Sequence, residues 1–375
     1  AMLSLADLGL RSRDEKVYVS WLEKAAAAHP QALQPRIALA RYRLAKGDKN
    51  KALAAAREAV NAWPDNPAAL DLLGAAQLAL GDTANALGSY RKLVERQPGQ
   101  AAPLLKLATV QIAAQDLAGA RKALQNALRT QPDLLDAQMM LGGVELRAAR
   151  LDEAQKIALQ VQQQKPDHPA GFILAGDTAF ARKDYPAALA AFERAHKLKP
   201  SATLLVRQLQ VFNATQRSEE GEQRLAAWLV AHPQDAAIRA ALAESLTKRQ
   251  QYPAAAEHYL LLNKSNPGSL VVLNNLAWAL HGAGDKRAVS FAGQALKLQP
   301  DNPMVMDTYG WILTAQGQAA QGLPHLRRAL SKAPDNAEIQ YHLAVALFKT
   351  GDRTRAQGEL ERLLASGARC PQERE

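Results

Sequence analysis

The chain has 375 residues, of which 48% are hydrophobic and 22% are charged, and this mixture is too apolar for a disordered chain. Aromatic residues make up only 5%, fewer than a β-rich protein carries, and the single cysteine, Cys370, excludes an internal disulfide and a cysteine-based zinc site. The formal net charge of +10 arises from scattered Lys and Arg residues rather than a cluster, so we expect no nucleic-acid partner.

A proline recurs every 33 or 34 residues along nearly the whole chain. A period of this length is the signature of a stacked helical repeat. A small residue stands twelve positions before most of these prolines, as Ala86 and Ala188 do, and we expect it where paired helices cross. The recurring residues are Pro30, Pro64, Pro98, Pro132, Pro166, Pro200, Pro233, Pro267, Pro300 and Pro334.

This spacing predicts an incomplete repeat over residues 1–32, nine full repeats over 33–336, a tenth over 337–370 and a polar tail over 371–375. Within a repeat, Asn66 before Pro67 predicts the start of a first helix, and Gly81 predicts its end in the left-handed conformation. A second helix then runs to the proline of the period. Cys370, beside the tail, is expected to be an exposed thiol.

The repeat over 67–100 carries Leu70, Gly74, Ala86, Tyr90 and Pro98. These residues resemble the tetratricopeptide (TPR) pattern. The resemblance implies an all-α solenoid, a right-handed superhelix of about ten helix-turn-helix repeats, whose first helices line a ligand groove. The match is poorest over 203–235, where one residue is missing and Gln210 stands where a small residue is expected.

No catalytic spacing occurs in the chain, neither His-Glu-x-x-His nor a glycine-rich phosphate loop. We therefore predict no catalytic, cofactor-binding or metal-binding residues, no cofactor and no enzymatic activity. No apolar run approaches the roughly 18 residues of a membrane span, so none is expected in this chain.

The groove positions that the TPR resemblance implies change character after residue 270, where they become aromatic and polar. Trp278 and Trp311 are 33 residues apart, which is one repeat here, so we expect neighbouring positions on adjacent first helices. Aromatic rings beside Asn and Asp suit a peptide or a sugar polymer; the alternative is that both Trp residues fill the core. The candidate residues are Asn274, Trp278, His281, Asp307, Trp311, Thr314, Tyr341 and Phe348.

The last third of the chain resembles a bacterial subgroup, the TPR-repeat lipoproteins of the PEP-CTERM/exosortase system that accompany exopolysaccharide loci. The resemblance implies a periplasmic or outer-membrane-anchored protein, whose signal and anchoring cysteine would lie upstream of this sequence. If the resemblance is set aside, the expectation is a cytoplasmic location. The motifs that carry it are Leu273-Asn-Asn-Leu-Ala-Trp278, Asp307-Thr-Tyr-Gly-Trp-Ile312, His325-Leu-Arg-Arg-Ala-Leu330, Tyr341-His-Leu-Ala and Gly358-Glu-Leu-Glu-Arg-Leu-Leu364.

Three functional hypotheses follow. The first is a non-enzymatic scaffold that binds protein or peptide segments in an envelope export or exopolysaccharide system. The second is a solenoid that binds polysaccharide directly through the aromatic end of its groove. The third is a TPR appendage of a larger enzyme, such as a glycosyltransferase. No feature of the sequence indicates the oligomeric state.

Overall fold

The computed structural model describes residues 1–29 and 32–367, and within these ranges all regular structure is helical, with 22 α-helices and no strand. Pro30, Cys370 and the predicted tail 371–375 lie outside the described residues. The chain divides into two compact segments, one ending at Pro200 and one beginning at Ser201, which we call the N-terminal and C-terminal segments.

The N-terminal segment contains six helical hairpins, each made of two helices joined by a short turn. Within the segment, consecutive helices pack on each other, and some first helices also contact the first helix of the next hairpin. The helices are α1 (Met2–Arg11), α2 (Glu15–Ala28), α3 (Leu33–Ala45), α4 (Lys49–Ala62), α5 (Pro67–Ala79), α6 (Thr83–Arg96), α7 (Ala101–Ala113), α8 (Leu117–Thr130), α9 (Leu135–Arg147), α10 (Leu151–Gln164), α11 (Ala170–Ala181) and α12 (Tyr185–Leu198).

The C-terminal segment repeats the same arrangement in five further hairpins. Here the first helices of successive hairpins contact each other, α17 with α19 and α19 with α21. The helices are α13 (Ala202–Ala214), α14 (Ser218–Ala231), α15 (Ala236–Lys248), α16 (Tyr252–Ser265), α17 (Leu270–Gly282), α18 (Ala288–Leu298), α19 (Pro303–Ala315), α20 (Ala319–Lys332), α21 (Ala337–Lys349) and α22 (Arg353–Ala365).

Helix ends form where the sequence predicts them. The side chain of Asn66 accepts from the backbone N–H of Ala68 at 2.9 Å, and Pro67 occupies the first turn, where its missing N–H has no intrahelical partner anyway. Gly81 follows the end of α5 with φ of +81°. Where Gly is absent, other residues adopt the same conformation, among them Ala149 with φ of +55°. A single left-handed residue costs a non-glycine side chain on the order of 1–2 kcal/mol.

The small residues predicted at helix crossings are buried. Ala86 and Ala188 are fully inaccessible to solvent. A Cβ added to Gly74 would lie 2.7 Å from the Tyr90 ring, closer than carbon atoms approach without displacement. Side-chain volume at these positions therefore sets how closely the two helices of a hairpin pack.

The register predicted for the repeat over 203–235 is wrong by one residue. Gln210 is exposed on α13, and the buried neighbour Leu209 occupies the crossing position. Gly221 of α14 lies opposite, and a Cβ there would lie 2.7 Å from the Leu209 side chain. A large residue on one helix is accommodated by the smallest residue on its partner, so the missing residue shifts the register without removing the close contact.

Candidate functional site

The candidate residues lie on three successive first helices of the C-terminal segment. In α17, Ser269 caps the first turn, and Leu273, Leu276 and Leu280 are buried. The remaining face carries Asn274, Trp278 and His281, spaced four and three residues apart and therefore adjacent along one side of the helix. All three side chains are partly buried.

Helix α19 is started by Asn302, whose side chain accepts from the backbone N–H of Met304 at 3.0 Å. It presents Trp311 toward α17 and α21, one helical turn after Asp307. Helix α21 is started by Asn336, which accepts from Glu338 and Ile339, and it presents Tyr341 and His342.

Five rings from these helices form one aromatic cluster: Trp278, His281, Trp311, Tyr341 and His342. Trp311 stacks on His342, with ring centroids 4.1 Å apart and an interplanar angle of 18°. His281 lies 6.1 Å from Trp278 and 6.4 Å from Trp311, and His342 lies 6.3 Å from Trp278. The two indoles are thus linked through the two imidazoles, and Tyr341 lies 6.3 Å from Trp311 at the edge.

A buried pair supports the cluster from beneath. Asp307 is 3% exposed and His342 is fully buried, and the His342 Nδ1 donates to both carboxylate oxygens, at 2.9 and 3.0 Å. The carboxylate fixes the orientation of the imidazole, and the imidazole in turn supports the face of Trp311. Because a buried charged or polar group is costly without a partner, this pair ties α19 firmly to α21.

Burial and two nearby basic side chains act on His281. The pKa of His281 is held below its usual value, chiefly by burial and further by the nearby His342 and Lys349. Lys349 extends from the end of α21 and its Nζ donates to the carbonyl oxygen of Thr314 at 3.4 Å. His281 is therefore more readily neutral than an exposed histidine at the same pH.

Several polar atoms of this surface have no protein partner. Within residues 1–29 and 32–367, the buried Oδ1 of Asn274 accepts no hydrogen bond, and the indole N–H groups of Trp278 and Trp311 donate none. A buried amide oxygen without a partner carries a desolvation cost of about 1–3 kcal/mol.

The structure places the predicted residues Trp278 and Trp311 in one cluster, linked through His281 and His342 rather than by direct stacking. Tyr341 lies at its edge, and Asn274 is one turn away from Trp278. Asp307 lies beneath the cluster rather than on its surface. Thr314 of α19 is fully buried, and its hydroxyl donates to the Gly310 carbonyl at 2.7 Å. It therefore does not lie on the surface that carries the aromatic cluster. Phe348 is 60% exposed, with the Arg353 guanidinium 5.9 Å from its ring.

His342 is the member of the cluster that the sequence analysis did not select as a site residue. A signal for it exists in the repeat: counting 34 residues back from His342 gives Thr308, and 33 further gives Asn275, so this inner position is polar in three successive repeats. Thr308 is buried, and the Asn275 amide donates to the Tyr259 hydroxyl at 3.5 Å.

The first helices of the N-terminal segment carry ion pairs in place of an aromatic cluster. Asp71 of α5 pairs with Lys106 of α7, and the Arg41 guanidinium of α3 lies 3.7 Å away. Asp71 is the least exposed of the three side chains, at 19%. This surface is therefore polar and differs in chemistry from that of the C-terminal segment.

Within the described residues, no group of three or more His, Cys, Asp and Glu side chains could hold a metal ion. Among the helices of residues 1–29 and 32–367, none is both long enough and apolar enough to span a bilayer.

Models of the tetratricopeptide repeat match this chain in both segments. One matches residues 77–133, 111–175 and 313–372, and a second matches residues 37–101, so together they cover more than half of the chain.

Two curated proteins are similar over shorter stretches. A TPR repeat-containing protein of Pseudomonas aeruginosa is 30% identical over 134 residues, which is 34% of this chain and 22% of that protein. A protein of Pseudomonas putida that bears the name biofilm formation methyltransferase WspC is 29% identical over 119 residues, which is 32% of this chain and 28% of that protein. The matched region thus spans less than a third of either relative.

Solved structures of similar fold include YrrB, described as a TPR protein with an unusual peptide-binding site, at a TM-score of 0.41 and 20% identity over 52% of this chain and 97% of that chain. A tetratricopeptide repeat protein from Parabacteroides merdae aligns at a TM-score of 0.46 and 16% identity, over 66% of this chain and 98% of that chain. Helical hairpins follow the proline period, and tetratricopeptide-repeat models match more than half of the chain. The chain therefore belongs to the tetratricopeptide-repeat family.

Proposed function

We propose that this chain is a non-enzymatic scaffold that binds an extended segment of a partner protein on the aromatic cluster of α17, α19 and α21. The observation that carries this proposal is the pair of partly buried indoles, Trp278 and Trp311, held on adjacent first helices by the buried Asp307–His342 pair. TPR repeats are protein-interaction modules, and in this chain the aromatic cluster lies on the first helices α17, α19 and α21.

The cluster has the composition of an interaction hot spot. Trp residues contribute disproportionately to protein interfaces, commonly about 2 kcal/mol or more each, because a rigid ring excludes water over a large area. The indole N–H groups supply donors, and a peptide backbone offers a carbonyl acceptor at each residue.

The test uses Trp278→Ala and Trp311→Ala, with Trp63→Ala as the control for loss of a partly buried Trp elsewhere. A phage-displayed library of random 12-residue peptides is selected on the wild-type chain, and a selected peptide is then titrated against each variant. We expect both site variants to lose at least tenfold in affinity while the control binds normally. If the indoles belong only to the core, both variants should instead lose about 3–5 kcal/mol of stability and retain binding in the folded fraction.

We extend the proposal to an envelope export or exopolysaccharide system, with the protein exported and lipid-anchored. The support is the resemblance of the motifs around Trp278, Trp311 and Tyr341 to PEP-CTERM-associated TPR lipoproteins. Fractionation of cells that express the natural full-length protein tests this, because the proposal requires it in the envelope fraction and recovery from the cytoplasm contradicts it.

Direct polysaccharide binding is a second candidate, favoured by the partly exposed indole faces, on which sugar rings can pack. A glycan array probed with the wild-type chain and with Trp311→Ala separates the two candidates. Binding to glycans that is lost in the variant, without any peptide selected from the library, would favour the polysaccharide.

A third candidate, a TPR appendage of a larger enzyme, is favoured by the small share of the curated relatives that the chain matches, 22% and 28%. The mass of the natural protein in cell extracts tests it. A mass near 40.5 kDa, which is that of this chain, would argue against an attached catalytic domain.

A further inference from the structure

A cavity adjoins the aromatic cluster at the ends of α17 and α19. His281 belongs to both, since its ring contacts Trp278 and Trp311 and also lines the cavity. The other walls are formed by Lys286 and Val289 on one side and by Gln316 and Gln318 on the other. A ligand bound on the indoles would therefore extend directly into this cavity.

The lining carries positive charge and no carboxylate. Lys286 is exposed and has no ion-pair partner within the described residues. Lys349 reaches the end of α19, where its Nζ contacts the Thr314 carbonyl, and its charge contributes to lowering the pKa of His281.

Asp285, which precedes Lys286 in the chain, and Asp307 of α19 both have partners among the described residues. Asp285 accepts from the Arg287 guanidinium, at 2.7 Å for the shortest contact, and from the Arg287 backbone N–H at 2.8 Å. Asp307 is buried against His342. Neither is available to neutralise Lys286, so the positive charge of the cavity faces solvent uncompensated.

Helix dipoles do not alter this charge balance. The carbonyl ends of α17 and α19 meet the cavity together with the amide ends of α18 and α20. Their partial charges have opposite sign and largely offset each other. The side chains therefore determine the sign of the potential.

We propose that this cavity receives a carboxylate side chain, Glu or Asp, of the protein segment that binds the aromatic cluster. The inference rests on the proposed function and specifies its ligand as an acidic segment. His281 lies about 6 Å from each indole, and an extended chain advances about 3.3 Å per residue. The acidic residue therefore stands one or two positions from the apolar residue that packs on Trp278 and Trp311.

The interaction gives specificity through charge. Lys286 and Lys349 attract the carboxylate, and Gln316 and Gln318 offer amide donors beside it. An exposed ion pair contributes about 0.2–1 kcal/mol, which corresponds to at most about fivefold in affinity, so the indoles supply most of the binding energy and the cavity selects among segments.

The experiment begins with the random 12-residue library selected on the wild-type chain at low ionic strength. We expect enrichment of Glu or Asp within two residues of an aromatic or aliphatic residue. One enriched peptide and its Glu→Gln counterpart are then titrated against the wild type, Lys286→Glu and the control Lys297→Glu, an exposed lysine on α18 outside the cavity.

We expect Lys286→Glu to weaken the acidic peptide about fivefold or more, to leave the Gln peptide within twofold, and to melt at the wild-type temperature. Lys297→Glu should bind both peptides as the wild type does. Added salt should reduce the difference between the two peptides, since it screens exposed charges.

Peptides that depend on Trp278 and Trp311 but show no acidic preference would overturn this inference and leave the proposed function intact. Binding of an acidic polysaccharide in place of any acidic peptide would also overturn it. A library that yields no Trp-dependent peptide would overturn both this inference and the proposed function.

Discussion

Asp307 and His342 come from neighbouring repeats and meet in the interior, so each depends on the other for its hydrogen bonds. Removing one partner from a buried pair leaves the other unsatisfied, at a cost of about 3–5 kcal/mol. We expect Asp307→Ala and His342→Ala each to destabilise α19 and α21 by this amount. The double variant should cost less than the sum, because it removes both groups at once.

Hydrogen exchange of the amides in α19 and α21 measures this double-mutant cycle locally. Strictly additive effects would mean that the two side chains act independently. In the same samples, α15 serves as an internal reference, since it contacts neither helix.

At the scale of single residues, the sequence predicts Trp278 and Trp311 as neighbours because both stand at the same position of successive repeats. It does not predict the role of His342, because the polar character of this position in three repeats does not show that its partner is Asp307, 35 residues away in the chain. The assignment of Gln210 fails for a related reason. A one-residue deletion leaves the apolar pattern of α13 readable in two registers, and only the contact between Leu209 and Gly221 distinguishes them.

At the scale of helices, α19 and α20 approach each other through Gly310 and Gly322. A Cβ on Gly322 would overlap the Gly310 carbonyl oxygen, which is backbone and has no rotamer to escape into. We expect Gly322→Ala to destabilise the C-terminal segment by about 1–3 kcal/mol through overpacking. Urea unfolding followed by circular dichroism measures it.

Gly358→Ala is the matched control on α22. No atom lies within 4 Å of the added Cβ, so only the higher helix propensity of Ala remains, worth about 1 kcal/mol. We expect this variant to be more stable than the wild type. Equal effects of the two substitutions would show that the helices do not pack as closely as described.

Helix ends were predictable only where the sequence marks them. The recurring Gly-Asp pair predicts the end of α5, and Gly81 adopts the left-handed conformation there. Ala149 and Lys183 adopt it without any such marker. Their conformation is imposed by the packing of the flanking helices, which repeat the same geometry whatever residue joins them.

At the scale of the whole molecule, three histidines of the C-terminal segment couple stability to pH. The pKa values of His258, His281 and His325 are lowered from 6.5, in each case chiefly by burial. Arg239 contributes further at His258, His342 and Lys349 at His281, and Arg328 at His325. The unfolded chain therefore binds more protons than the folded chain at pH values just below 6.5.

Because the unfolded state takes up more protons, the free energy of unfolding falls as the pH drops below about 6.5 and rises again toward neutral pH. We expect a lower melting temperature at pH 5.5 than at pH 7.5. The triple variant His258→Gln, His281→Gln, His325→Gln should show a smaller difference between the two pH values. An unchanged difference would assign the pH dependence to other groups.

The proline period predicts the family and the all-α architecture because the same spacing of prolines recurs along nearly the whole chain. A missing residue in a single repeat does not obscure this period. The division into segments at Pro200 and Ser201 has no comparable marker. Pro200 follows the same 34-residue spacing as its predecessors, so the sequence gives no reason to divide the chain there.

The link from α19 to α21 has a consequence for how long the protein survives in a cell. Repeats open locally, and proteases act on the opened population. Under the proposed function, a partner that binds Trp311 also holds His342, which stacks on it, and thereby α21. When the free ligand concentration is a hundred times the dissociation constant, binding raises the free energy of unfolding by about 2.7 kcal/mol. Copies without a partner would be degraded first, and the amount of scaffold would follow the amount of its partner.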